Sequence, residues 1–268
     1  MAVTSTRQPP AQDSAGQNRF PRTNFLGLDF DTAEAAEVIA FLDTRRADDR
    51  FGYVVTPNVD HMVQIDAQPE LRPVYQGGLL CLNDSRVLAR LAKLYGIALT
   101  VVPGSDLIVA LFGSVLKDGD RLCIVGASAP LVAQLRAQYP RITIIHHEPP
   151  MGLRRNAAAR KAAVDAAAAA NARFTLLAVG APQQEILASE MATAGTVKGT
   201  AFCIGAAVDF IVGAQVRAPR IVQRAGMEWF WRLAGSPRRL GRRYLVEGPK
   251  IFRIALRWQR DRKRNARV

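Results

Sequence analysis

Three histidines and three cysteines in 268 residues leave few groups for metal or thiol chemistry. His61, His146 and His147 fall in neither an H-x-x-x-H nor an H-E-x-x-H pattern, which excludes the usual zinc enzymes and predicts no metal site. Cys81, Cys123 and Cys203 are odd in number and lack ligand spacing. Cys123 and Cys203 lie in the apolar runs RLCIVG and TAFCIG, so these thiols read as inert core residues of a reducing compartment. A G-x-S-x-G nucleophile elbow is missing, and so is the G-x-G-x-x-G dinucleotide fingerprint. No stretch approaches the roughly 18 apolar residues of a spanning helix; the best, Thr200 to Ala214, is short and contains Asp209. The opening MAVTSTRQPPAQDSAGQNRF has no apolar core of a secretory signal, and residues 1–22 read as a disordered leader.

What the chain does have is charge, unevenly placed. Its formal net charge is +13, and the segment 214–268, with fourteen Arg and two Lys against three acids, accounts for all of it. Residues 23–213 therefore form a near-neutral body, and 214–268 a basic helical appendage. Such a division suggests a body that performs chemistry and a tail that finds a polyanionic surface, either nucleic acid or anionic lipid.

Within the body, β-rich runs alternate with helical ones, which predicts an α/β fold: a Rossmann-like, mainly parallel sheet flanked by helices. Strands are expected at Tyr53–Thr56, Leu79–Leu82, Leu99–Val102, Arg121–Val125, Ile142–His146, Thr175–Val179 and Ala201–Ile204. Helices are expected at Leu107–Leu116, Pro130–Gln138, Asn156–Asn171 and Gln184–Ala192, the alanine-rich third of these as an exposed helix. Three strands run into glycine turns at Gly126, Gly180 and Gly205. In open α/β sheets ligands bind beyond the carboxyl ends of the strands, where small residues let a phosphate reach backbone N–H groups.

Several polar clusters are candidates for chemistry. Asp29-Phe30-Asp31 has the form of a metal-binding D-x-D, but Asp31 with Glu34 three residues on has the spacing of a helix-capping box, and capping is the expected role. Thr56-Pro57-Asn58 and Asn83-Asp84 each end a strand. Asp84 is either a general base for an attacking hydroxyl or part of an Asx-turn. Gly180-Ala181-Pro182-Gln183-Gln184-Glu185 follows the strand TLLAV. It reads either as a capped helix start or as a site for an anion or a sugar hydroxyl.

These clusters, in this order, resemble the WecG/TagA/CpsF family of bacterial glycosyltransferases from about Phe25 to Tyr244. Thr56-Pro57-Asn58 resembles the family's T-x-N, Gly104-Ser105-Asp106-Leu107 its G-x-D-L, and Gly180–Glu185 its G-x-P-x-Q-E. Farther on, Val208–Gly213 resembles D-F-x-x-G, and Arg217-Ala218-Pro219 resembles R-A-P. Glu228–Leu233 resembles E-W-x-x-R-L, and Pro237–Arg239 with Arg243-Tyr244 resembles P-x-R…R-Y. The resemblance implies an inverting, metal-independent transfer, without a cofactor, from a UDP-sugar to a polyprenyl-diphosphate-linked glycan acceptor at the cytoplasmic membrane face. Asp84 would be the base and Thr56 its catalytic neighbour. Asn58, Gly104, Asp106, Gly126, Gly180, Gln184, Glu185, Gly205 and Asp209 would bind substrate. Two departures stand out. Asn83-Asp84-Ser85 replaces Pro-Asp-Gly, and Val101-Val102 falls where members carry an Arg, a role for which Arg217 is the natural substitute.

The tail from Lys250 to Arg264 fits an amphipathic helix, with Arg253, Arg257, Arg260 and Arg264 on one stripe. Ile251, Phe252, Ile254, Ala255, Leu256 and Trp258 are expected on the other. With Arg238, Arg239, Arg242 and Arg243 it reads as a docking element for an anionic membrane, fraying from Asp261. A nucleic-acid partner is the alternative, resting on Trp229, Phe230 and Trp231 amid arginines. The absence of helix-turn-helix, RRM and zinc-finger signatures argues against nucleic acid. Homo-oligomerisation is left open.

Overall fold

The computed structural model describes residues 20–205, 207–213, 230–231, 233 and 241–265. Of the expected leader, residues 1–19 lie outside these, whereas its last residues join the fold. Phe20 packs edge-on against Phe41 with ring centres 6.1 Å apart, and Arg22 opens the first strand. Strands β1 (Arg22–Phe25) and β2 (Leu28–Asp31) form an antiparallel hairpin. Its two-residue turn, Leu26-Gly27, has positive φ at both positions, as tight hairpins favour.

The main sheet comprises β3 (Gly52–Val55), β4 (Leu80–Cys81), β5 (Arg121–Gly126), β6 (Thr143–His147), β7 (Phe174–Ala178) and β8 (Thr200–Cys203). All six pair in parallel, in the order β4-β3-β8-β7-β5-β6. Sandwiched strands must be apolar on both faces, which explains the unbroken runs in β5, β7 and β8. Side chains alternate across the sheet. Leu122, Ile124, Phe174, Leu176 and Phe202 enter one core layer, and Cys123, Val125, Leu177, Ala201 and Cys203 enter the other. The three thiols are free and buried in the same layer, and burial pushes the Cys123 thiol up to about 11.

The first layer is closed by α1 (Ala35–Thr44), α5 (Gly104–Ala110), α6 (Ala129–Gln138) and α9 (Ala207–Ile211). A wider π-type turn, Leu111–Val115, extends α5. The second layer is closed by α2 (Val59–Ala67), α3 (Arg72–Gln76), α4 (Arg86–Leu94), α7 (Ala157–Ala170), α8 (Gln183–Ala194) and α10 (Lys250–Asn265). The alanine-rich α7 is capped by Asn156, whose side chain accepts from Ala159 N–H at 2.9 Å. It is not the exposed helix expected, because Ala159, Ala163, Ala167 and Ala170 bury an i, i+4 stripe against the sheet layer.

Three other expectations are corrected. Leu99–Val102 forms no strand and joins no ladder. Instead Val102 N–H donates to Asn83 O at 2.9 Å and the Asn83 amide donates to Thr100 O at 3.3 Å. The capping box of α1 is formed by Glu34 and Glu37, not by Asp31. Buried at the end of β2, Asp31 pairs with Arg22 Nε at 3.0 Å and accepts from Cys81 N–H at 2.7 Å. One carboxylate oxygen thus ties the two hairpin strands together and the other fastens the hairpin to β4 at the sheet edge.

The third correction concerns α10, which stays helical through Asn265 rather than fraying from Asp261. Its expected apolar face splits in two. Ile251, Ile254 and Ala255 are buried in the core, and Trp258 lies edge-on to Phe25 at 5.4 Å and to Tyr95 at 6.2 Å. The spacing 251, 254, 255, 258 is the narrow i, i+3, i+4, i+7 seam of a helix packed on a body. Phe252 and Leu256 fall outside that seam and are exposed.

Candidate active site

A parallel sheet delivers every strand's carboxyl end to the same edge. After β3, Asn58 caps α2, its Oδ1 accepting from Asp60 N–H at 3.1 Å and His61 N–H at 3.5 Å. After β4, Asn83 and Ser85 carry the turn. Asn83 Oδ1 accepts from Ser85 N–H at 2.9 Å, and Ser85 Oγ accepts from Leu88 N–H at 3.2 Å, capping α4. The Asx-turn therefore belongs to Asn83, and the carboxylate of Asp84 turns the other way. Asp84 Oδ1 accepts from Gly104 N–H at 3.0 Å, and its Oδ2 faces Asn58 Nδ2 at 3.4 Å. Asn83 and Ser85 thus serve the turn and the helix cap, while the Asp84 carboxylate bridges the starts of α5 and α2.

Gly104 opens α5 against Thr56. A Cβ on it would lie 2.7 Å from Thr56 Oγ1, so only glycine brings its N–H to Asp84 without displacing that side chain. Thr56, Asn58, Asp84 and Gly104 thus meet at one place, from three separate loops. Asp106 sits exposed in the first turn of α5.

A second cluster lies at the start of α8. Gln184 is buried and bridges two neighbours. Its Oε1 accepts from Gly205 N–H at 2.8 Å, and its Nε2 donates to Glu185 Oε1 at 2.8 Å. Glu185 is 2% exposed, and its Oε2 has no hydrogen-bond partner among the described residues. Burial pushes this carboxyl up to about 7, against the opposing pull of the Gln184 amide. His61 joins the two clusters, with its Nε2 3.9 Å from Glu185 Oε1. Sequence reasoning set His61 aside as a non-ligand. The signal that could have found it is the spacing Asn58-x-x-His61, that of a capping box with imidazole in place of Glu or Gln.

The glycine turns have distinct roles. Gly126 is packed so closely on Ala178 that a Cβ would lie 2.8 Å from its carbonyl, and its own carbonyl lies 2.9 Å from His146 Nε2. Gly180 stands at the mouth of the neighbouring strand with φ +81°, in open space. Asp209 lies on α9, but its side chain is outside the described residues, as are Arg217, Arg238, Arg239 and the side chain of Arg243. Arg242, Arg253, Arg257 and Arg260 are exposed, whereas Trp258 is drawn into the seam with the body.

A six-stranded parallel sheet flanked by helices, with polar side chains gathered beyond the carboxyl ends of its strands, is a Rossmann-like α/β fold. The sequence model of the glycosyl transferase WecG/TagA/CpsF family matches residues 23–265, and the chain belongs to that family. It is therefore a glycosyltransferase of cell-surface glycan synthesis, a class that uses a sugar-nucleotide donor and a lipid-linked acceptor. The match includes α10, so the basic segment is part of the family unit. Among the described residues no helix is long and apolar enough to cross a membrane.

Proposed function

We propose that the protein transfers a sugar, with inversion, from a UDP-sugar to a hydroxyl of a polyprenyl-diphosphate-linked glycan, with Asp84 as general base. The acceptor hydroxyl gives its proton to the Asp84 carboxylate as its oxygen attacks the anomeric carbon. The bond from that carbon to the diphosphate oxygen breaks, and UDP departs with the electron pair. The observation that supports this most directly is the clamp on Asp84, whose carboxylate is oriented by Gly104 N–H and the Asn58 amide. Thr56 and Asn58 offer hydroxyl and amide groups to the sugars. Gly180, Gln184 and the start of α8 offer the donor diphosphate a helix N-terminus. Arg217 supplies positive charge to the leaving group in this reading, so that no metal is required.

The basic segment docks the enzyme on anionic lipid. Leu245, Val246, Phe252 and Leu256 expose apolar side chains beside Arg253 and Arg260, which suits an interfacial position. Calorimetric titration of the full chain in EDTA with UDP, GDP, NAD and a short single-stranded oligonucleotide tests the reading. Saturable binding of UDP alone is expected. Oligonucleotide binding with no response to UDP would overturn it in favour of a nucleic-acid binder.

A further inference from the structure

The helix cap at the start of α2 has an unusual member. Asn58 Oδ1 accepts from the first turn of α2, and Asn58 N–H donates to His61 Nδ1 at 3.0 Å. Glu or Gln normally accepts at that third position. An imidazole that accepts at Nδ1 carries its proton on Nε2 while neutral, and Nε2 is the nitrogen facing Glu185. With Oδ1 held by the helix N–H groups, the Asn58 amide can present only its Nδ2 to Asp84.

We propose that His61 is a positioning residue: by accepting from Asn58 N–H it holds the Asn58 amide on the Asp84 carboxylate, and a second proton on the ring releases that hold. The imidazolium has two donors and no acceptor, so Nδ1–H would confront Asn58 N–H and the cap would open. Several groups surround the ring. Glu185 faces it from α8, and Asp60 shares its helix. From α3, Tyr75 lies 5.9 Å away between ring centres, its buried hydroxyl without a partner among the described residues. Tyr53 of β3 and Cys203 of β8 line the same layer. Glu185, held near 7 by burial, becomes neutral in mild acid.

The inference rests on Asp84 being the base, and its test separates the two. NMR of the full chain, following the imidazole nitrogens and the Asn58 side-chain amide against pH, is compared for wild type, His61→Gln and His61→Leu. The expected result is the Nε2–H tautomer at neutral pH, with the Asn58 amide moving in step with ring protonation. In His61→Gln, which keeps the acceptor but cannot titrate, the amide stays still. An Nδ1–H tautomer, or an amide indifferent to the ring, overturns the proposal. Turnover is measured as UDP release with a prenyl-diphosphate-linked acceptor, screening UDP-glucose, UDP-N-acetylglucosamine and UDP-N-acetylmannosamine. His61→Leu should lower kcat about 30-fold with UDP affinity within about threefold, and His61→Gln should recover most of the loss. The acid limb of the wild-type kcat profile should vanish in His61→Gln; a limb that persists belongs to another group and overturns the release step. If Asp84→Asn stays active, the base assignment fails whatever His61 does. If Asp84→Asn is inactive while His61→Leu matches wild type, only the positioning role fails.

Discussion

Arginine is put to two different uses in this chain. In the body, Arg173 is nearly buried and ties four groups together. It bonds Arg45 O at 2.8 Å, Val115 O at 3.1 Å, Asp43 O at 2.8 Å and Asp120 at 2.7 Å. Arg121 caps Ala170 O and Arg136 caps Ile144 O in the same manner. These guanidiniums satisfy carbonyls that helices and strands leave open at their ends. Along α10 the picture reverses. Arg257 pairs with Asp66, but Arg253, Arg260 and Arg264 are exposed and make no hydrogen bond or ion pair with a described residue. The guanidiniums of Arg173, Arg121 and Arg136 fasten the body's backbone, whereas those of Arg253, Arg260 and Arg264 face outward.

The largest effect expected is chemical and belongs to the body. Asp84→Asn should lower kcat by at least about 1,000-fold while UDP affinity changes little, as seen in paired kinetic and calorimetric titrations. Next comes stability. Arg173→Met strips the guanidinium from Asp120 and from three carbonyls, and should lower unfolding free energy by about 3 kcal/mol in urea melts. The corresponding change in the tail, Arg253→Gln with Arg260→Gln, should leave the melt unmoved. Equal losses from the body substitution and the tail pair would erase the distinction drawn between them.

A pH effect of intermediate size comes from Glu185. Its folded pKa of about 7 lies above the ordinary 4.5. The folded state therefore binds the extra proton, and stability present below about pH 4.5 is lost as pH rises through about 7. Glu185→Gln should remove this dependence, gaining on wild type by on the order of 2–3 kcal/mol between pH 4.5 and 8. A parallel pair of stability–pH curves would show that Glu185 ionises without penalty.

The smallest effect is the one that defines the tail. Removing two exposed arginines should weaken binding to anionic vesicles by on the order of 1 kcal/mol each, with the loss shrinking as salt is raised. Phe252→Ser with Leu256→Ser should weaken binding further and do so independently of salt. Unchanged sedimentation with vesicles would sink the docking role.

Much of this was legible from local pattern. The strands around Cys123, Leu176 and Phe202 announced themselves as apolar runs because a sheet covered on both faces needs apolar residues at every position. The Asp84 cluster was visible as polar residues ending strands. What failed, failed for tertiary reasons. Leu99–Val102 has strand composition, but the sheet already ends at the two-residue β4, so its polar groups turn to Asn83. Asp31 has capping spacing, yet an arginine nine residues earlier and the N–H of Cys81, fifty residues later, take its carboxylate.

By itself, the amino-acid sequence determined the alternation of strands and helices, the separation of a neutral body from a basic tail, and the motifs that assign the family. Each is a matter of composition or short-range spacing, which survives without knowing where the chain goes. Only the tertiary structure decided which of those motifs meet. Strand order set Asp84 beside Gly104, twenty residues on, and set His61 beside Glu185, more than a hundred residues on. Packing then divided one amphipathic helix face between the core and the outside, because α2 and Phe25 can accept only a narrow seam of it.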